Sequence, residues 1–129
     1  EAKEELAPYF YGARNELVYI LCLGGNNQIL GVRRVAEGSI QSSEVNLRRI
    51  AEEALSLRAV KIYLAHNHVN NLAIPSREDW RATYVARAAL APLGVELVDH
   101  FVFEDGEMVS MADSEQYRYR QYTLLSRKF

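Results

Sequence analysis

The sequence predicts an α/β domain, a mixed β-sheet flanked by helices. Three observations lead there. Short β-prone apolar runs alternate with two long stretches of helical spacing. Gly/Asn and Asp-Gly signals join other runs as hairpins. No internal repeat and no low-complexity tract breaks the chain into smaller units.

From the N-terminus, Glu1 to about Tyr11 reads as a short helix, with Leu6 and Phe10 four apart. Leu17 to Leu23 and Gln28 to Ala36 read as two strands joined at Gly24-Gly25-Asn26-Asn27. Ser43 caps a helix from Glu44 to about Leu57, with Leu47, Ile50, Ala51, Ala54 and Leu57 turned inward. Val60 to Ala65 is apolar and short enough for a buried central strand. A loop from Val69 to Pro75 follows. Ser76 is then a good N-cap for a helix from Arg77 to about Leu93, ended by Pro92 and Gly94. Trp80, Tyr84, Ala88 and Ala91 are its expected inward stripe. Two last strands, Val95 to Phe103 and Glu107 to Met111, turn at Glu104-Asp105-Gly106.

The chemistry concentrates where the central strand meets the second long helix. His66 and His68 are two apart, so on extended chain their imidazoles point to the same side. Asp79 falls at the third position of the helix capped by Ser76. A loop that folds this first turn back over the strand's end brings together two nitrogens and a carboxylate. That donor set is found in catalytic zinc sites that keep a position open. Read singly, each residue has a plainer role. Asp79 could serve only its helix N-terminus, where a carboxylate is favoured, and a histidine after a strand is commonly a polar loop residue. Spacing alone leaves both readings open.

His66-Asn67-His68 with Pro75-Ser76-Arg77-Glu78-Asp79 resembles the JAMM motif of the JAB/MPN metalloprotease superfamily. The wording around it, including Leu93-Gly94-Val95-Glu96-Leu97-Val98-Asp99-His100, resembles the bacterial RadC branch, and the likeness runs from about Pro8 to about Met111. The resemblance implies an MPN/JAB-like sandwich, related to the cytidine-deaminase fold, over residues 14–129. Residues 1–13 look like the linker helix that precedes this domain in longer RadC proteins. It implies zinc on His66, His68 and Asp79. It also implies an upstream glutamate as general acid/base, and Glu16, opening the first strand, stands in that place. By residue type alone Glu16 reads as a solvated strand-edge carboxylate. Ser76 would hydrogen-bond the developing oxyanion. The chain departs from the RadC pattern after the second histidine, where Val69-Asn70-Asn71 replaces Pro-Ser-Gly; loop geometry and substrate choice follow from that stretch more than metal binding does. A deaminase is excluded, because its Cys-x-x-Cys needs more than the single Cys22.

Composition bounds the rest. The 129 residues, 49% hydrophobic and 25% charged, form one ordinary globular domain. No apolar run approaches the roughly 20 residues of a membrane span, and no membrane partner is expected. A lone cysteine in an apolar strand is read as core and fits a reducing cytoplasm. A net charge of −2 argues against a dedicated nucleic-acid binder. The tail Tyr117-Arg118-Tyr119-Arg120-Gln121-Tyr122 interleaves aromatics with charge, as single-strand binders do. Its plainer reading is packing of the terminal segment, or of a neighbouring copy in a homo-oligomer. His100 is read as a strand residue outside the motif, and Arg33, Arg34, Arg48 and Arg49 as surface charge.

The leading expectation is a zinc-dependent hydrolase of peptide or isopeptide bonds in a peptide or protein substrate. Its rivals are a non-catalytic MPN-like binding module and an accessory protein in DNA repair.

Overall fold

The β-prone runs become five strands: β1 (Leu17–Leu23), β2 (Ile29–Glu37), β3 (Lys61–Asn67), β4 (Glu96–Glu104) and β5 (Glu107–Ser110). Three helices accompany them: α1 (Ala2–Leu6), α2 (Ser43–Ser56) and α3 (Arg77–Leu90). The computed structural model describes residues 1–38, 43–69, 73–104 and 106–114, with the backbone alone at 43–45. The Ser43 cap, Asn70, Asn71, Asp105 and the aromatic-basic tail from Tyr117 therefore lie outside the described residues or side chains.

The strands form one sheet in the order β2-β1-β3-β4-β5. β3 and β4 run parallel, and every other neighbouring pair is antiparallel. The arrangement is a mixed α/β sheet, as the resemblance to an MPN/JAB-like sandwich leads one to expect. The antiparallel β1–β2 pair is closed at its turn by Gly24 N–H donating to the Gln28 carbonyl at 2.9 Å. Asn27 there takes a positive φ of 62°, which asparagine tolerates better than most residues. The parallel pair needs a long crossover, and α3 is that crossover.

Alternation along the strands sorts side chains to two faces. One face carries Val18, Ile20, Cys22, Ile62 and Leu64 beneath Ile50 and Ala54 of α2 and Ala86 and Leu90 of α3. The other carries Leu21, Leu23, Ala65, Phe101 and Phe103 against Leu6 of α1 and Phe10. The expected inward positions of α2 all face the core: Ile50 and Ala54 are buried, and Leu47, Ala51 and Leu57 pack partly buried against it. Cys22 is buried, and burial pushes its thiol up to about 11. Arg33, Arg34, Arg48 and Arg49 are exposed. No described helix is long and apolar enough to cross a membrane.

Three expectations need correction. The N-terminal helix is shorter than Glu1 to Tyr11, because α1 gives way to a 3-10 turn at Ala7–Phe10. Pro8 has no N–H to continue the α-helical ladder. The second helix ends at Leu90, before a 3-10 turn over Ala91–Leu93 that contains Pro92. Its buried stripe is also rotated from the predicted one. Asp79, Trp80, Thr83, Ala86 and Leu90 are buried, whereas Ala88 and Ala91 are exposed. Two of the inward positions are polar, and a count of apolar residues passes over them.

Candidate metal centre

β3 extends to Asn67, beyond the predicted end at Ala65, so His66 is part of the strand. His68 follows it and still donates its backbone N–H to the Phe103 carbonyl at 2.9 Å. That bond keeps the chain extended past the strand's end and holds both imidazoles on the helix-covered side of the sheet. Across from them α3 begins with a complete capping box. Asp79 N–H donates to Ser76 Oγ at 3.1 Å, and Ser76 N–H donates to Asp79 Oδ2 at 2.7 Å. The cap aims the carboxylate of Asp79 back toward β3.

Both imidazoles meet that carboxylate. His66 Nε2 lies 3.1 Å from Asp79 Oδ1, and His68 Nε2 lies 3.1 Å from Asp79 Oδ2. One ligand atom from each of the three residues falls within 4.8 Å of the others. Asp79 thus caps its helix and faces the histidines at once. Burial by itself would raise its pKa. The close His66 ring, its charge when protonated, and the Ser76 N–H outweigh burial and hold the carboxyl well below the usual carboxylate range.

The approach of His66 to Asp79 is close but misses hydrogen-bond geometry. His66 Nε2 is the one buried side-chain polar atom among the described residues that makes no hydrogen bond. A buried donor or acceptor left unmatched costs about 1–3 kcal/mol. A cation between the two groups removes that mismatch. Two imidazole nitrogens and a carboxylate converge there, the donor types that suit a divalent transition metal. His66, His68 and Asp79 therefore form a donor set that could hold a metal ion.

Glu16 is not part of that cluster. It is half-buried and immediately precedes β1. Val18 pairs with His66 in the antiparallel β1–β3 ladder, so the register carried two residues further sets Glu16 across from His68. The backbone there is pinned on both sides by one side chain. Leu17 N–H donates to Asn67 Oδ1 at 2.7 Å, and Asn67 Nδ2 donates to the Asn15 carbonyl at 3.1 Å. The Glu16 carbonyl itself accepts from Gly38 N–H at 2.7 Å. Asn67, the residue between the two histidines, thus ties the start of β1 to the end of β3. Ser76 is partly buried, and its Oγ serves the cap as an acceptor.

Sequence reasoning missed two members of the cluster. His100 is fully buried, with Nε2 2.7 Å from His66 Nδ1 and Nδ1 2.6 Å from Thr83 Oγ1. Burial, reinforced by repulsion from His66 and only partly opposed by Asp79, lowers its pKa well below the ordinary imidazole value and keeps it neutral. Alternation counted from buried Leu97 would send His100 to the opposite face. A bulge in β4, between the Ile62–Leu97 and Tyr63–Asp99 pairs, reverses the alternation and sets His100 opposite Leu64 on the helix face. Thr83 did leave a signal, for it stands four residues after Asp79 on the same helical stripe. Asp99 is structural: it accepts from His100 N–H at 2.7 Å and Ala112 N–H at 2.8 Å, and from the Ser110 hydroxyl.

A groove of about 1080 Å³ opens beside His68, lined by Phe10, Tyr11, Asn67, Ala73, Phe103 and Glu107 among others. Its walls come from α1's continuation, the ends of β3 and β4, and β5.

Comparison with known proteins agrees with this architecture. The chain is 36% identical to a UPF0758 protein of Photobacterium profundum over 78% of its own length and 45% of that protein's. It is 37% identical to a UPF0758 protein of Vibrio atlanticus over 78% of the chain and 45% of the relative. A UPF0758 protein of Vibrio cholerae is 34% identical over 88% of the chain and 50% of the relative. The chain spans about half the length of these curated relatives. The family model described as "RadC-like JAB domain" matches residues 1–117, and with the sheet order and the His-His-Asp cluster already in place, the chain belongs to that family.

Proposed function

We propose that this domain is a zinc-dependent hydrolase that cuts amide bonds in a peptide or protein substrate. The observation that carries the reading is the unmatched Nε2 of buried His66, facing Asp79 beside His68. His66, His68 and Asp79 would hold the ion; three protein ligands leave a position open, as catalytic zinc sites do. Zinc bound there would supply the Lewis acidity that makes water a nucleophile near neutral pH.

The chain's own groups would do the rest. Glu16, on the strand next to the ligands, is the proton carrier: it takes a proton from the attacking water and returns one to the leaving amine. Asn67 holds the backbone on either side of Glu16, and the β1–β3 register sets that residue across from His68, which supports this role. The Ser76 oxygen accepts from the Asp79 N–H, so its hydroxyl proton is left to donate to a developing oxyanion. The groove beside His68, with Phe10, Tyr11 and Phe103 in its walls, offers an extended substrate an apolar bed leading to the site.

Purified protein should carry close to one zinc per chain by elemental mass spectrometry. It should cleave members of a panel of linear and isopeptide-linked fluorogenic peptides. Glu16→Gln should keep the zinc and lose at least about 100-fold in rate, the lower range for general acid–base catalysis. A protein that takes up zinc yet cleaves no panel member, while retaining one of the peptides, would be a binding module instead. A Glu16→Gln variant with full activity would remove Glu16 from the mechanism.

A further inference from the structure

Hydrogen bonds beneath the metal centre run in one direction only. The carbonyl of Asp79 can accept but not donate, and Thr83 Oγ1 lies 2.6 Å from it. The Thr83 hydroxyl has a single proton, which that carbonyl claims. The competing contact to the Met111 sulfur, at 3.7 Å, is far weaker. Thr83 Oγ1 must then accept from His100, so the proton of His100 sits on Nδ1, 2.6 Å away. With the imidazole proton on Nδ1, the Nε2 of His100 is its acceptor atom. That atom faces His66 Nδ1 at 2.7 Å, and only an N–H on His66 Nδ1 completes the contact. The remaining nitrogen of His66, Nε2, is the one left without a hydrogen bond, and it points at Asp79 and the neighbouring His68.

We propose that Thr83 and His100 form a relay that orients His66, keeping a proton on Nδ1 so that Nε2 is the nitrogen turned into the metal centre. Both are positioning residues and neither is a ligand. The relay closes on itself, since it starts at the backbone of Asp79, one presumed ligand, and ends on the ring of His66, another. Its orientation is therefore set by a carbonyl that cannot reverse, and it holds the donor set ready before any ion arrives. The proposal rests on the metal-centre reading for its purpose, but the proton on His66 Nδ1 is dictated by the relay in the metal-free chain as well.

That separation sets the experiment. Long-range proton–nitrogen correlation spectra of metal-free wild-type protein labelled with nitrogen-15 at histidine read the protonation of each ring nitrogen directly. A protonated His66 Nδ1 and a protonated His100 Nδ1 are expected. A bare Nδ1 on His66 overturns the relay, whether or not the protein binds zinc or cleaves anything. Thr83→Val keeps the shape of the side chain but removes the acceptor that orients His100. It should weaken zinc binding roughly 10–100-fold, the usual effect of losing a ligand's outer partner, measured by competition with a chromophoric chelator. Thr83→Ser should restore the affinity to within about twofold of wild type. His100→Gln retains an acceptor for His66 and should fall between the two. Equal zinc affinity in Thr83→Val and wild type would overturn the proposal. So would a Thr83→Ser variant as weak as Thr83→Val, because the hydroxyl would then not be the operative group.

Discussion

The two ends of the space between α3 and the sheet are built from the same elements and hold opposite chemistry. At one end Ile62 and Leu64 of β3 meet Ala86 and Leu90 of α3. Two residues further along β3 and one to two turns back along α3, His66 meets Asp79 and, through His100, Thr83. The apolar end is stabilised by removal of surface from water, which has no direction and tolerates small shifts. The polar end is as deeply buried, with His66, Asp79, Thr83 and His100 each at most 1% exposed. There every donor needs a matched acceptor, because an unpaired polar group in low dielectric is expensive. All but one atom is matched.

Substitutions can test that contrast, beginning with the largest effect. His68→Ala removes a ligand from the rim of the polar end, where the side chain is 13% exposed. Zinc should fall from near one per chain to none in elemental analysis, while the circular dichroism of the metal-free protein stays unchanged. Leu64→Ala does the reverse. It leaves a cavity at the apolar end and should destabilise the fold by about 2–5 kcal/mol in urea unfolding, with zinc per folded chain unaltered. If Leu64→Ala instead abolished zinc binding in folded protein, the two ends would not be independent.

Asn67→Ala is expected to have a smaller effect on stability, about 1–3 kcal/mol, because it leaves the Leu17 N–H and the Asn15 carbonyl without their partner. Its zinc content should remain near one, and its rate on any cleaved peptide should drop with that of Glu16→Gln. The smallest effect is in the pH dependence of the metal-free protein. The carboxyl of Asp79 is depressed on folding, so its contribution is complete above the ordinary carboxylate value of about 3.9 and is lost as pH falls through the lower folded value. The stability gap between wild type and Asp79→Asn should therefore narrow as pH drops below about 4, measured by denaturant titration in the presence of chelator. A gap that stays constant down to acid unfolding would mean that Asp79 is not held ionised by its neighbours.

Much of this was legible from the residues. Strands β1 and β4, the α2 core positions and the hairpin at Gly24 follow from alternation, helical spacing and turn chemistry, within a residue or two at each boundary. His66, His68 and Asp79 were legible as a possible donor set because a strand end and a capped helix start put limits on where their side chains can go. Other features were hidden for physical reasons. A bulge changes which face His100 occupies, and nothing in Leu97-Val98-Asp99-His100 announces it. The stripe of α3 was misjudged because Asp79 and Thr83 are inward for the sake of hydrogen bonds, and hydrophobic periodicity is blind to those. Residue type gives Asn67 no role, and its reach to Asn15 and Leu17 depends on which strand lies next to β3.

The crossover through α3 has a consequence for how the chemistry is distributed along the chain. Both histidines, Asp79, Thr83 and His100 all belong to one strand–helix–strand unit running from Lys61 to Glu104. The loop that closes the three-residue donor set is short, so its closure costs little chain entropy. Glu16 lies outside that unit, just before β1, where Asn67 and the Gly38 N–H hold the backbone. The proposed ligands and the proposed proton carrier are thus encoded in separate stretches of chain, so a descendant of this domain could lose Glu16 with the His-His-Asp set left whole.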